Sequence, residues 1–304
     1  MGELFWKVQA AVFYCLTLVG AGFPVASTQR VGAVVGSVMW RLLPKRRDIV
    51  LDNLENALVY LVGHPLWCTP GKETALLATQ AYGNLGTSLI EICKLYHGRG
   101  EHLIAGIELR GLEHYEAAKA KNKGIICFSG HCGNWELMAL ALGRLLGDGA
   151  VVARRQNNPH FNRMVERMRM SYNSRVIYKK GAFRGILSAL RSGDLVGILA
   201  DQAASPEDGV LVSMMGRKAW ASKAPVLLAR KSGAPLLPVF IHRDGDHHVI
   251  TFYPEHTLSR DMSDCGIQKE TQALSQYVEN FVAAHPAQWY WMHRRWKRAG
   301  QACV

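Results

Sequence analysis

At 304 residues, 49% hydrophobic and 20% charged, the chain has the composition of a globular protein with an apolar excess, long enough for one large domain or two small ones. Its net charge of +12 points to anionic partners. The absence of an RNA-binding signature, zinc-finger spacing or an interleaved aromatic and basic run argues against nucleic acid, and seven cysteines without C-x-x-C spacing read as reduced thiols.

The first element is an uncharged run from Val8 to Gln29, VQAAVFYCLTLVGAGFPVASTQ, long enough to cross a bilayer although Gly20, Gly22 and Pro24 weaken its later half. A second apolar stretch, Val31 to Trp40, leads into RLLPKRR, whose Arg41, Lys45, Arg46 and Arg47 suit anionic headgroups. No convincing cleavage pattern marks a removed signal peptide. Residues 1–44 therefore read as a membrane-anchoring helical segment, in preference to a buried helical hairpin, and residues 45–304 as the domain it tethers.

Residues 45–62 and 73–97 read as helices on either side of the turn-rich GHPLWCTPGK. Strands and helices then alternate. Strands are expected at Gly124–Ser129, Ala150–Ala153, Leu195–Ala200, Leu236–Ile241 and His248–Tyr253. Helices are expected at Asn134–Leu146, His160–Tyr172, Phe183–Arg191, Ser222–Lys231 and Gln268–Ala284. That alternation predicts an α/β fold, a largely parallel sheet flanked by helices on both faces, with sites beyond the carboxyl ends of the strands. His131, Arg154 and Asp201 all fall just past such ends.

His131 and Glu136 enclose four residues in SGHCGNWELMALALG. Residues five apart on a helix do not face each other, so His131 belongs to the loop before the helix and Glu136 to its first turns. Gly130 and Gly133 permit the turn, and Asn134 is a good N-cap. A histidine near a carboxylate can take a proton from a hydroxyl, and helix-start amides can meet a developing oxyanion. Cys132 reads as a small packing residue rather than an acyl-accepting thiol.

On the helix HFNRMVERMRMSYN, residues Phe161, Met164, Val165 and Met168 form an inward stripe and Arg163 and Arg167 point away from it. Arg169 lies on the shoulder, where a guanidinium can orient a phosphate, carbonyl or carboxylate or simply snorkel. Asp201 opens a turn-rich loop, where it reads either as a turn residue with no further function or as a carboxylate suited to hold an arginine such as Arg169. His242, His247, His248 and His256 lack ligand spacing, and DGDHH reads as a hairpin tip, so no metal is expected.

With SGHCGNWE, RRQNNP followed by Arg169, LADQ, SMMGRKAWASKAPVLLARKSGAPLLPVF and PAQWYWMHRRWK in that order, the chain resembles the late acyltransferases of lipid A biosynthesis over roughly Leu109 to Lys297. The N-terminal apolar segment and an RR-x-x-x-x-x-NL segment precede these blocks. Two stretches depart from the family pattern: Leu58–Lys72, and Cys132 where a larger apolar residue is common. The resemblance implies an enzyme at the cytoplasmic face of a bacterial inner membrane. Such enzymes move an acyl chain from acyl carrier protein to a hydroxyl of a phosphorylated glycolipid, a lipid A precursor. It implies His131 as general base and Glu136 as its orienting partner. Arg169, Asp201, Asn158 and Arg154 would then serve as substrate-binding residues, Asn158 within a matching NP motif, and no cofactor is implied. Two rival readings are transfer to another glycolipid, aminolipid or lysophospholipid from a carrier-protein or CoA thioester, and a non-catalytic lipid-binding protein. A serine hydrolase is disfavoured, for no G-x-S-x-G elbow is present.

Overall fold

The computed structural model describes residues 2–67, 73–179, 181–297 and 299; Cys68, Cys303 and the end of the turn-rich patch after α3 lie outside them. Helices come first: α1 (Glu3–Gly22), a 3₁₀ turn (Val25–Ser27), α2 (Thr28–Leu42), α3 (Pro44–Leu61), α4 (Thr74–Tyr96) and the short α5 (Glu101–Ala105). Pro44 starts α3, where its missing amide hydrogen has no intrahelical acceptor to lose. Then follow β1 (Ile107–Arg110), α6 (Leu112–Lys119), β2 (Ile125–Ser129), α7 (Trp135–Leu146), β3 (Gly149–Ala153), α8 (Pro159–Ser171), β4 (Ser174–Tyr178), α9 (Ala182–Arg191) and β5 (Leu195–Leu199). The chain continues through β6 (Gly209–Met214), β7 (Arg217–Ser222), α10 (Ala224–Ser232), β8 (Leu236–Asp244), β9 (His247–Phe252) and α11 (Asp264–Ala284). A 3₁₀ turn, Pro286–Gln288, precedes a final irregular strap.

The main sheet has seven strands in the order β1-β9-β8-β2-β5-β3-β4. Strands β8, β2, β5, β3 and β4 run parallel, while β9 returns antiparallel beside β8 and β1 runs parallel to β9. All five residues of β2 are buried. Ile126 and Phe128 face a core shared with α3, α9, α10 and α11; Ile125 and Cys127 face a second core with α6 and α7. The period of two explains how one apolar run serves both layers. Both faces are covered by helices, as the alternation predicts.

Several elements lie outside the sequence-based expectations. β4 is an edge strand whose Arg175 interrupts its apolar pattern, pairing with Asp194. β6 and β7 form a separate antiparallel hairpin against α11, closed at Met215 and Gly216, both with positive φ. That backbone suits a two-residue primed turn, but Met-Gly is not the Asn-Gly pair by which such hairpins are recognised. Residue 222, expected to open a helix, closes β7 instead. α5, β1 and α6 are also additions.

Helices α1 and α2 pack against α4, and α1 also against α8. Gly32 and Gly36 of α2 meet Tyr82–Thr87 of α4 backbone to backbone: a Cβ on Gly32 would lie 2.3 Å from Thr87 Cα, and one on Gly86 2.1 Å from the Gly32 carbonyl oxygen. Small residues at this spacing let two helix axes approach closely. α1 is held by Thr17 Oγ1 to His97 Nε2 at 2.9 Å, His160 Nε2 to Glu3 at 2.8 Å and an edge-to-face contact of Phe13 on Phe161. Its other side carries exposed Leu4, Val8, Val12, Leu16 and Val19, continued on α2 by Val34, Val38 and Leu42. Among the described residues α1 is the one helix long and apolar enough to cross a membrane.

Candidate active site

β2 ends at Ser129 and the chain turns sharply through Gly130–Gly133 into α7. Gly133 adopts φ +53°, and a Cβ there would sit 2.2 Å from the Ile241 carbonyl oxygen, so only glycine suits this turn. Asn134 caps α7, its Oδ1 accepting from Leu137 N at 3.1 Å. The same side chain donates to Glu91 at 2.8 Å. Glu91, buried on α4, also accepts from Arg243 Nη2 at 2.9 Å and lies 3.0 Å from His248 Nε2. Burial opposes its ionisation, but hydrogen bonds from His248 and Arg243 prevail and hold the carboxyl at about 2. A buried charge cluster thereby fixes the start of α7.

The imidazole of His131 meets Asp201, at the carboxyl end of the neighbouring strand β5. Nδ1 lies 2.6 Å from Asp201 Oδ1, and the His131 amide donates to Oδ2 at 2.8 Å. The indole Nε1 of Trp289 donates to that same Oδ2 at 2.8 Å. Asp201 is buried, which raises its pKa, yet the His131 charge and these donors pull it down to about 2. It is therefore an acceptor, so a neutral His131 carries its proton on Nδ1 and its lone pair on Nε2. Nε2 lies 3.3 Å from the Gln202 amide nitrogen. Burial depresses the His131 pKa, but the Asp201 charge and hydrogen bond, with a further contribution from Glu136, leave it raised.

Glu136 is not the hydrogen-bonded partner of His131, as the resemblance implies, but that of Arg169 on α8, which grips both its carboxylate oxygens. The carboxylates are thus exchanged relative to expectation: Asp201 holds the imidazole instead of an arginine, and Glu136 holds Arg169. The physical reason is local. His131 lies in the turn beside the end of β5, while Glu136 in the first turn of α7 points toward α8. Arg169 Nε is buried without a hydrogen-bond partner.

The other two expected ligand residues lie elsewhere. Asn158 caps α8, accepting from His160 N and Phe161 N, and donates to the Trp6 carbonyl of α1 at 2.9 Å. Its amide is engaged in joining two helices. Arg154 is exposed past β3, two strands from β2, with Asn157 as its neighbour at 3.5 Å. The structure does not bring it to His131. Of the four histidines weighed as ligands, His248 belongs to the Glu91 cluster and His256 pairs with Glu270 at 2.8 Å.

The strap after α11 was legible as a block but not as part of the site. Its backbone zips onto the turn: Gly133 N donates to Gln288 O at 2.6 Å, Tyr290 N donates to His131 O at 3.0 Å, and Cys132 bridges Trp289. Tyr290 and Trp135 flank the imidazole. From behind, Asn53 Nδ2 donates to the carbonyls of Trp291 at 2.7 Å and His293 at 2.9 Å, and Arg46 Nη1 to that of Met292. Arg295 is wholly buried, bonded to the Trp220 carbonyl; burial brings its pKa down to about 10, Asp201 opposing. Beside this strap lies a cleft with ≈ 440 Å³ of empty space, lined among others by Val50, Ala81, Tyr82, Leu85, Trp135 and Tyr290. Cys132 is buried with its thiol pKa raised well above the ordinary value by burial and the Asp201 charge, which is unsuited to a thiolate nucleophile.

A buried acid, an imidazole with its lone pair on Nε2 and an adjacent apolar cleft are the equipment of a group-transfer enzyme acting on a hydroxyl. The family model of the bacterial lipid A biosynthesis acyltransferases matches residues 5–298, and the chain belongs to that family of acyl-transferring enzymes. It is similar to the lipid A biosynthesis lauroyltransferase of Escherichia coli K12, at 26% identity over 93% of this chain and 92% of the relative. The lipid A biosynthesis acyltransferase of Haemophilus influenzae is 23% identical over 95% of this chain and 86% of its own. A phosphatidylinositol mannoside acyltransferase of Mycobacterium tuberculosis is 25% identical over 81% and 77%.

Proposed function

We propose that this enzyme transfers a fatty acyl chain from acyl carrier protein to a hydroxyl of a lipid A precursor, with His131 as general base. The observation that carries the chemistry is the 2.6 Å contact of His131 Nδ1 with buried Asp201, which directs the Nε2 lone pair outward. Nε2 takes the acceptor hydroxyl proton as the oxygen attacks the thioester carbonyl. The imidazolium, stabilised by Asp201, then returns that proton as the thiolate leaves. No acyl-enzyme is required. Gly133 N and Leu137 N are already engaged, leaving the Trp135 and Glu136 amides at the start of α7 to meet the oxyanion. The apolar lining of the cleft suits contact with the methylenes of an acyl chain.

The lipid A acceptor, rather than a phosphatidylinositol mannoside, is favoured by coverage: the lipid A relatives align over 88–95% of this chain and the mannoside relatives over 81%. Residues 1–44 serve as a monotopic anchor at the cytoplasmic face of the inner membrane, α1 lying against the domain with its outer apolar face in lipid. The excess positive charge suits both the anionic membrane and an acidic carrier protein. His131→Ala should lower the rate with acyl carrier protein thioester by at least about 10²-fold while the protein remains folded by circular dichroism. Full activity in that variant rules out this mechanism.

A further inference from the structure

A second pocket, on the far side of the strap from His131, has no assigned role. It lies between the first turns of α3, the hairpin turn at β7 and the strap's end, with ≈ 820 Å³ of empty space. Four cations line it: Lys45, Arg217, Arg294 and Lys297. Two carboxylates share it, Asp48 and Asp52, but each is engaged on its own helix, Asp48 with Arg47 at 3.7 Å and Asp52 with Asn56 at 3.2 Å. Among the described residues none of the four cations forms an ion pair. Arg217 stacks over Trp296, 4.7 Å from the ring centre, and its Nη1 is buried without a hydrogen-bond partner. A buried unsatisfied guanidinium nitrogen costs free energy that an anionic oxygen would recover. The amino end of α3, beginning beside Lys45, adds the positive end of a helix dipole.

The pocket is mechanically tied to the site. Tyr290 bonds the His131 carbonyl and Arg294 is four residues on, so the Cα atoms of Tyr290 and Arg294 are at most about 14 Å apart. Asn53, which lines the pocket, fixes the strap between them. We infer that this pocket binds a phosphate ester on a molecule whose reacting group reaches His131. Resting on the acyl-transfer reading, two bearers are chemically possible: the phosphorylated sugar of the acceptor, or the phosphopantetheine arm of the donor. The pocket would set the register of that substrate through a charged end, while the apolar cleft takes the other.

Direct binding tests this without turnover. Full-length protein in detergent is titrated calorimetrically at low salt with glucosamine 1-phosphate and, separately, with phosphopantetheine. One of them is expected to bind saturably. Replacement of the exposed pair, Arg294→Gln with Lys297→Gln, is expected to weaken it at least tenfold, and Arg217→Lys to weaken it less. Glucosamine phosphate as the bound probe places the acceptor there, and phosphopantetheine places the donor. His131→Ala should bind like wild type; full acyl transfer by that variant, with phosphate binding intact, would sink the catalytic reading alone. Neither probe binding the wild type, or the double variant binding as tightly, overturns the phosphate site.

Discussion

Asp201 and Glu136 are both carboxylates near the imidazole, but their environments assign different tasks. Asp201 is sealed and receives three donors, two from His131 and one from Trp289, whereas Glu136 is partly exposed and engaged by Arg169. Trp289→Phe removes one donor and keeps the ring, so it should slow transfer and lower the His131 pKa slightly by loosening Asp201; unchanged kinetics would show the indole hydrogen bond to be idle. Glu136→Gln strips Arg169 of its counter-charge in a half-buried setting, costing about 1–3 kcal/mol of stability. Denaturant unfolding of that variant measures it. The spacing H-x-x-x-x-E revealed both side chains but not their partners. Partnership depends on how β5 lies beside β2, which a single local motif does not contain.

Among the elements, α4 organises the rest, receiving α1, α2 and α3 on one side and supplying Glu91 to the cap of α7. Glu91→Gln leaves Arg243 and His248 without their carboxylate in a buried place and should destabilise the fold by about 3–5 kcal/mol. A thermal melt indistinguishable from wild type would show that the cluster is not structural. Gly86→Val would drive a side chain into the α2 backbone and should expose α2 to limited proteolysis. The buried strands and longer helices from Ile125 onward were legible, because apolar runs with the right periods admit few alternatives. β4 and the β6–β7 hairpin were not. Their signals are a charged edge and an uncommon turn pair, and tertiary packing on α11 decides the hairpin.

For the molecule as a whole, acid stability follows from the shifted groups. Burial holds His293 and His285 at about 4, below the ordinary histidine value of about 6.5. A depressed histidine contributes stability above about 6.5 that is lost as pH falls toward about 4. Asp201 and Glu91, at about 2, contribute above about 4 and lose it on further acidification. The raised His131 acts oppositely: its contribution is complete below about 6.5 and disappears as pH rises through its native value. Melting temperature against pH should therefore fall in two successive acid windows. The exposed stripe of α1 makes a separate prediction: Val12→Asp with Leu16→Asp should reduce cosedimentation with anionic vesicles several-fold without lowering the melting temperature.

The pH dependence of kcat/KM, compared between wild type and Asp201→Asn, reaches the central claim most directly. Asparagine removes the charge that raises the His131 pKa, so the limb reporting the free base should move to lower pH while the plateau falls by about 10²–10⁴-fold. Glu136→Gln should shift that limb far less. An unmoved limb with an undiminished plateau in Asp201→Asn would contradict an imidazole oriented by Asp201.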